Sequence, residues 1–438
     1  MDFKEKLLSS FLVFSEDVDL NGNIHEIREG ALKTFEEKGF PSKKEEAWKY
    51  TSLAALLNQD YALFPKAEKA IALKEVKSYF LYDTDTYKVV FIDGVYSPFL
   101  SDTTHDGLDV CLMSAALTKP KYRKLINTYF NQIAPQSQSL TALNTSFAKE
   151  GAYIYIPKSV AAEKPVEILH FASGNEDSLW LQPRNLIIAD ENAQVQIIER
   201  HQSLKEHTVT TNSVTEIYAH KDAFVDYYKL QNDLLSASLI DNTYIAQESQ
   251  SHVRVHTFSL GGKLTRNNLN FYHREAHVES TLKGISLLQG SQHVDHATLV
   301  HHAHPHCESH QNYKGIFGEN AQGVFNGTVL VDKIAQKTNA FQQNNNILLN
   351  DRATVNTKPQ LEIFADDVKC SHGCTIGQLD KDALLYLRSR GIPEKEAKGL
   401  LTYAFVNEVL SDIRIPALRK RINRLVAEKI GVHLGFEL

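Results

Sequence analysis

Cys370, His372 and Cys374 stand at two-residue spacing in the stretch DDVKCSHGCTIGQLD, residues 366–380. Thiolate and imidazole are ligands for zinc and for other transition metals. In extended backbone, side chains at i and i+2 point to the same face. Cys370 and His372 therefore project together, and Cys374 joins them if Gly373 keeps the strand regular. Three ligands do not close a tetrahedral zinc site. Either a fourth comes from elsewhere in the chain, or a partner shares the site. The competing reading is a half-buried cysteine beside a hydrogen-bonded histidine.

A second concentration of ligands lies in QHVDHATLVHHAHPHCESHQNYKGI, which holds His293, His296, His301, His302, His304, His306, Cys307 and His310. Histidine-rich tracts bind metal, and His302, His304 and His306 would share one strand face. A strand carrying its histidines on a solvated face accounts for the same pattern. Other chemistry is missing. The chain has no G-x-x-x-x-G-K-[ST] phosphate loop, no G-x-S-x-G elbow and no H-E-x-x-H. Any ATP chemistry must come from a partner. Acidic residues are plentiful, but no pair on a common strand stands out as a glycosidase or lyase dyad, and the adjacent Asp366 and Asp367 would face opposite sides of a strand.

The elements that position these residues fall into three zones. Residues 1 to about 75 read as helical, with Ser42 and Glu45 forming a capping box after Pro41 and opening a helix through Trp48 and Tyr50. A mixed α/β lead-in follows over 76–139. In it Tyr87, Val89, Phe91 and Val95 flank the hairpin signal Asp93-Gly94. The run KYRKLINTYFNQIA then places Leu125, Tyr129 and Ile133 along one helical face.

From about 140 to 378 the texture is short alternating runs, among them AYIYIPK, RNLIIAD, AQVQIIER, HVRVHTFSL and GVFNGTVLVD. This predicts a large all-β architecture: a sandwich, a propeller or a solenoid. No repeat of about 40 residues and no hexapeptide repeat is visible, which disfavours a propeller and a left-handed acyltransferase-type helix. The run Gln342-Gln343-Asn344-Asn345-Asn346 suits polar ladders at the corners of a parallel β-helix, or a polar loop.

The last zone, 379–438, is helical again. Asp380 caps a short helix carrying Ala383, Leu384 and Leu387 and closed by Gly391. Pro393 opens a second, with the stripe Ala397, Leu401, Phe405 and Val409. Pro416 starts a third, with Leu418, Ile422 and Leu425 inward and residues 419–421, ArgLysArg, outward. These helices make a small core and leave apolar surface for another protein or for capping the β domain.

Bulk properties narrow the setting. The 438 residues carry a formal charge of −6, with 42% hydrophobic and 23% charged residues. That is an ordinary soluble composition without the basic footprint of nucleic-acid binding. Four scattered cysteines suit a reducing cytoplasm. The N-terminal MDFKEKLLSSFLVFSEDVD has acids on both sides of its apolar run, unlike a signal peptide. No run approaches the roughly 18 apolar residues of a membrane helix.

Taken together, several segments resemble the SufD-type scaffold subunits of the SUF iron–sulfur cluster assembly machinery, in the SufB/SufD family. They are EEAWKYTSL (45–53), LNTSFAKEGAYIYIPKSV (143–160), RNLIIADENA (184–193), DHATLVHHAHPHCESHQNYKGI (295–316), QLEIF (360–364) and ADDVKCSHGCTIGQLD (365–380). The resemblance implies a mainly β fold, with a right-handed parallel β-helix core between an N-terminal helical region and a C-terminal helical domain. It implies a non-catalytic scaffold that pairs with SufB through the β-helix and docks the ABC-type ATPase SufC through its C-terminal helices. A transient iron or iron–sulfur cluster would sit near the scaffold interface, on His372 and Cys370, and no nucleotide would be bound by this chain. His372 is the favoured iron ligand, because neutral imidazole suits iron. Cys370 would supply a thiolate or carry sulfur. The chain lacks the cysteine-rich N-terminal motif of many SufB subunits, which favours the SufD type. Self-pairing stays open. The rival readings are a β-helix enzyme acting on polysaccharide or small acids, with a carboxylate cluster in a groove, and a metal-binding protein using the histidine tract.

Overall fold

The computed structural model describes residues 2–16, 23–65, 71–103, 107–135, 137–174 and 178–432; residues 1 and 17–19 of the N-terminal run and 433–438 of the C-terminal zone discussed above lie outside these ranges. From Tyr87 to Gly377 the chain winds as a parallel β-solenoid of about eight turns. Successive coils give one strand to each of two sheets. The first sheet builds outward from Tyr87–Ile92 through Val166–Ala172 and Gln194–Ser203 to Asn339–Leu348 and finally Lys369–Gly377. The opposite sheet ends at Thr354–Ile363. Of the three β architectures open at the outset, the solenoid is the one formed. Strand Tyr87–Ile92 pairs in parallel with Val166–Ala172, so the lead-in supplies the first rung. The Asp93-Gly94 turn after it has positive φ at both residues (49° and 80°), as a type I′ hairpin requires.

Stacking in phase gives the solenoid its order. One inward row runs Val225, Val253, Ser280, Ser309, Ala340, Cys370, each opposite the next in adjacent parallel strands. Corners repeat too. Asn192, Asp222, Gln250, His277, His306 and Lys337 each sit two residues before a strand of the first sheet, with φ of 57° to 62°. The interior is apolar in the early coils, around Val89, Ile168, Ile187, Ile217 and Phe271. It turns polar further along, where side chains bond one another within and between coils. Gln231 donates to Asn267 (2.6 Å), Ser259 donates to Gln231 (2.7 Å), and His296 meets Ser286 (2.9 Å). Gln342, Asn344 and Asn346 belong to this interior. They lie buried in mid-strand rather than at a corner, because the alternation of Asn339–Leu348 turns them inward. Asn346 bonds Asn344 at 2.7 Å, and Gln342 bonds Gln311 of the preceding coil at 3.3 Å.

The N-terminal helices Phe3–Glu16 and Asn23–Lys38 pack around Trp180 with Phe3, Phe35, Phe40 and Tyr61. The helix expected through Trp48 and Tyr50 is only a 3-10 turn, Glu46–Trp48. Glu45 does accept from the Ser42 amide (2.9 Å), but the chain then turns to lay Trp48 over the Arg266 guanidinium at 4.1 Å. In the lead-in, helix Pro120–Tyr129 buries Tyr122 and Ile126, while Leu125 and Tyr129 are half-buried and Ile133 lies beyond its end. It stops there because the amides of Asn131 and Ile133 donate to Glu216 (2.7 and 3.2 Å), a fully buried carboxylate paired with Arg184.

At the C-terminus, Asp380 caps Lys381–Ser389 by accepting from the amides of Asp382 and Ala383. Helices Glu394–Leu410 and Pro416–Ile430 pack on the outer face of the first sheet. Val406, Val409, Leu418, Ile422 and Val426 meet Ile198, Tyr228, Phe258 and Ile285 there. Their core is thus shared with the solenoid and is not small. Of residues 419–421, Arg419 and Lys420 are exposed, but Arg421 is buried. Its guanidinium donates to the carbonyls of Ser78, Tyr79 and Phe80 and so ties the last helix to the lead-in. Arg421→Ala strands those carbonyls. It is expected to lower the urea-unfolding free energy by about 2–3 kcal/mol, against less than about 0.5 for Lys420→Ala; equal losses would remove this role.

Candidate functional site

Strand Lys369–Gly377 closes the first sheet and, among the described residues, pairs on one side only, with Asn339–Leu348. Cys370, His372 and Cys374 stand opposite Ala340, Gln342 and Asn344, which are buried and inward-facing. The three residues therefore continue inward rows at an end of the solenoid that is uncovered among the described residues. Gly373 keeps regular register opposite Gln343, and a Cβ there would meet nothing within 4 Å. The expected common face is real, and all three residues share it. Their environments differ. Cys370 is half-buried among Ala340, Ala365 and Val331, and burial pushes its thiol pKa up, so it is protonated at neutral pH. His372 and Cys374 are exposed. His372 makes no side-chain hydrogen bond or ion pair among the described residues.

Two other groups bring three ligand atoms within 4.8 Å of one another among the described residues: His273, His302 and Cys307, and His170, Glu199 and His201. Cys370, His372 and Cys374 do not converge in this way, as three successive same-face positions along a strand cannot.

The histidine tract does not form the expected face. Strand His293–His302 ends before His304 and His306, which occupy the turn, with His306 at the positive-φ corner. His293 meets Thr51, His296 meets Ser286 inside the solenoid, His301 pairs with Asp332, and His310 stacks on Phe341. Most of the tract thus packs and bonds locally. The His273–His302 pair escaped sequence reasoning, although a signal exists: His-x6-Ser recurs one coil apart, as His273/Ser280 and His302/Ser309.

A surface groove of about 800 Å³ contains Asp226, Glu279, Glu408 and Asp412, the kind of carboxylate set a polysaccharide-acting enzyme needs. Each is engaged: Asp226 with Arg254 and Arg414, Glu279 with His252, Glu408 with Lys314, and Asp412 with Arg254, His256 and Lys283. Burial pushes the Asp412 pKa up, but the bonds from His256 and Lys283 and the Arg254 charge outweigh it and hold the carboxyl well below the usual range. The Asp226, Glu408 and Asp412 pairs anchor the C-terminal segment to the sheet, and the Glu279 pair bridges two adjacent strands. No helix among the described residues is long and apolar enough to cross a membrane.

Fold and site together define a helix-flanked parallel β-solenoid with cysteine and histidine side chains on an end coil that is uncovered among the described residues. The chain belongs to the SufBD family of SUF-system iron–sulfur cluster assembly proteins. Residues 171–405 match the family model described as the SufBD core domain of SUF-system FeS cluster assembly, and residues 15–168 match that of the SufBD protein N-terminal region. The chain is similar to an iron–sulfur cluster assembly SufBD family protein of Synechocystis, with 33% identity over 91% of this chain and 90% of the relative. It is 29% identical to the iron–sulfur cluster assembly protein SufD of Escherichia coli over 90% of each chain. Against the SufD of Bacillus subtilis it is 26% identical over 71% of each.

Proposed function

We propose that this chain is the SufD-type subunit of a SUF scaffold, and that its last coil is completed by a SufB-type partner. One observation carries the reading: the Lys369–Gly377 edge strand is unpaired on its outer side among the described residues while presenting Cys370 and His372 inward. An edge strand with free N–H and C=O groups is a template for another strand. Exposed apolar side chains cluster in sequence on the last coils, with Ile334, Phe341, Leu349, Phe364 and Ile376 all open to solvent. A second solenoid docked there would cover them and bring its own ligands to His372 and Cys370. Transient iron or a nascent cluster is the cargo of such a split site.

The ATPase SufC docks on the C-terminal helices. Helices Glu394–Leu410 and Pro416–Ile430 spend their apolar faces on the solenoid, whereas Lys381–Ser389 buries no residue and exposes Leu385 (64%) and Tyr386 (58%). Nucleotide-driven movement of SufC would pull on this helix and strain the scaffold interface. Leu385→Asp with Tyr386→Asp is expected to abolish co-purification of the ATPase while retaining the SufB-type partner. Retention of the ATPase by the double variant would refute this docking face.

A further inference from the structure

Beyond that reading, we propose a second, internal metal site: His273, His302 and Cys307 bind one thiophilic divalent cation, of the zinc type, inside the solenoid. His273 and His302 end equivalent strands of adjacent coils and oppose each other directly in the ladder. Their Nδ1 atoms lie 3.1 Å apart with the rings at 83°, and Cys307 brings its Sγ into the same group. All three residues are at most 1% exposed. Zinc–nitrogen bonds of 2.0–2.1 Å place two ligand nitrogens of a tetrahedron roughly 3.3–3.4 Å apart, so the observed separation needs an adjustment of only a few tenths of an ångström.

The surroundings are those of a ligand pair. Ligating histidines hold the other ring nitrogen on an outer partner. Here His273 Nε2 meets Ser280 Oγ at 2.6 Å and His302 Nε2 meets Ser309 Oγ at 2.9 Å. Ser280 donates its own proton to Gln247 Oε1 at 2.6 Å, so it accepts from His273 Nε2–H. That leaves the His273 Nδ1 lone pair aimed at His302. Without metal, a proton on His302 Nδ1 bridges the two rings, and Cys307 donates weakly to the Glu275 carbonyl at 3.3 Å. The cation takes the place of that bridge. The His302 proton moves to Nε2 and the Cys307 thiol releases one proton. The cation is then held by two imidazole nitrogens and one thiolate, with a fourth position for an exchangeable ligand.

Because the group is closed off, loading is done on the full chain during refolding. Wild type, refolded anaerobically with cobalt(II) and a non-thiol reductant, is expected to hold one cobalt per chain and to show thiolate-to-cobalt charge transfer with tetrahedral d–d bands. Cys307→Ser should lose the charge-transfer band, and His372→Ala should keep it, which separates this site from the edge-strand site. A variant with Cys111, Cys370 and Cys374 all changed to serine retains Cys307 alone and should keep the band, so a Cys307→Ser chain that fails to fold leaves a decisive measurement. Absence of the band in the triple variant, or its persistence in folded Cys307→Ser, overturns the proposal.

Discussion

Replacing His372 with alanine is expected to leave the fold and its thermal transition unchanged while lowering iron–sulfur cluster maturation about tenfold or more. The first half follows from its exposure and lack of partners among the described residues, since surface changes away from caps, cores and ion pairs shift stability by no more than about 0.5 kcal/mol. The second follows from its place on the end coil, where the exposed imidazole, without a side-chain partner among the described residues, is open to iron. Cys370→Ser should have the smaller effect on iron capture, because burial keeps that thiol protonated until metal or sulfur arrives. The readout is the activity of a cluster-dependent enzyme in cells whose only copy of the chain is the variant, with recovery of the intact complex as control. Undiminished maturation with His372→Ala would remove the site assignment.

Lowering the pH from 7.5 to 5.5 is expected to cost this protein several kcal/mol of stability. Burial drives the His201, His296 and His302 imidazoles down to about 3 and that of His273 well below its usual value. In the unfolded chain these groups titrate near 6.5. Below that value the unfolded state binds protons that the folded state refuses, so stability is full above about 6.5 and falls as the pH drops toward 3. Each such histidine contributes about 1 kcal/mol of loss by pH 5.5, a large share of a typical total of roughly 5–15 kcal/mol. Asp412, whose carboxyl is depressed, adds its own loss only below about pH 4, so the two windows are separable. Urea unfolding at pH 7.5, 6.5 and 5.5 measures the slope, and His296→Asn should flatten it. A pH-independent unfolding free energy over this range would contradict the neutral-histidine interior.

How much of this was legible beforehand depended on whether a signal was local. The same-face placement of Cys370, His372 and Cys374 follows from strand parity and needs no tertiary knowledge. The Asp93-Gly94 turn and the Asp380 cap are likewise set by a few neighbouring residues. The coil period was not legible, because a solenoid row conserves direction rather than residue type: Val253, Ser280, Ala340 and Cys370 share one row and no chemistry. The αL corners hide in the same way, falling on Asn, Asp, Gln, His and Lys in turn. Arg421 reads as a surface charge until the carbonyls of residues 78–80 are seen around it, more than 340 positions away in sequence. The edge position of Lys369–Gly377 is equally non-local: its sequence does not say that no strand among the described residues pairs on its far side.

The scaffold account is tested most directly by recovering the native assembly. The full chain, tagged at its N-terminus and present at its natural level, would be purified under anaerobic conditions and its companions identified by mass spectrometry. The account predicts recovery, in fixed ratio, of an ABC-type ATPase bearing a phosphate loop and of a paralogous SufBD-family chain. If the protein emerges alone or only with copies of itself, from cells in which both partners are demonstrably present, the account is contradicted.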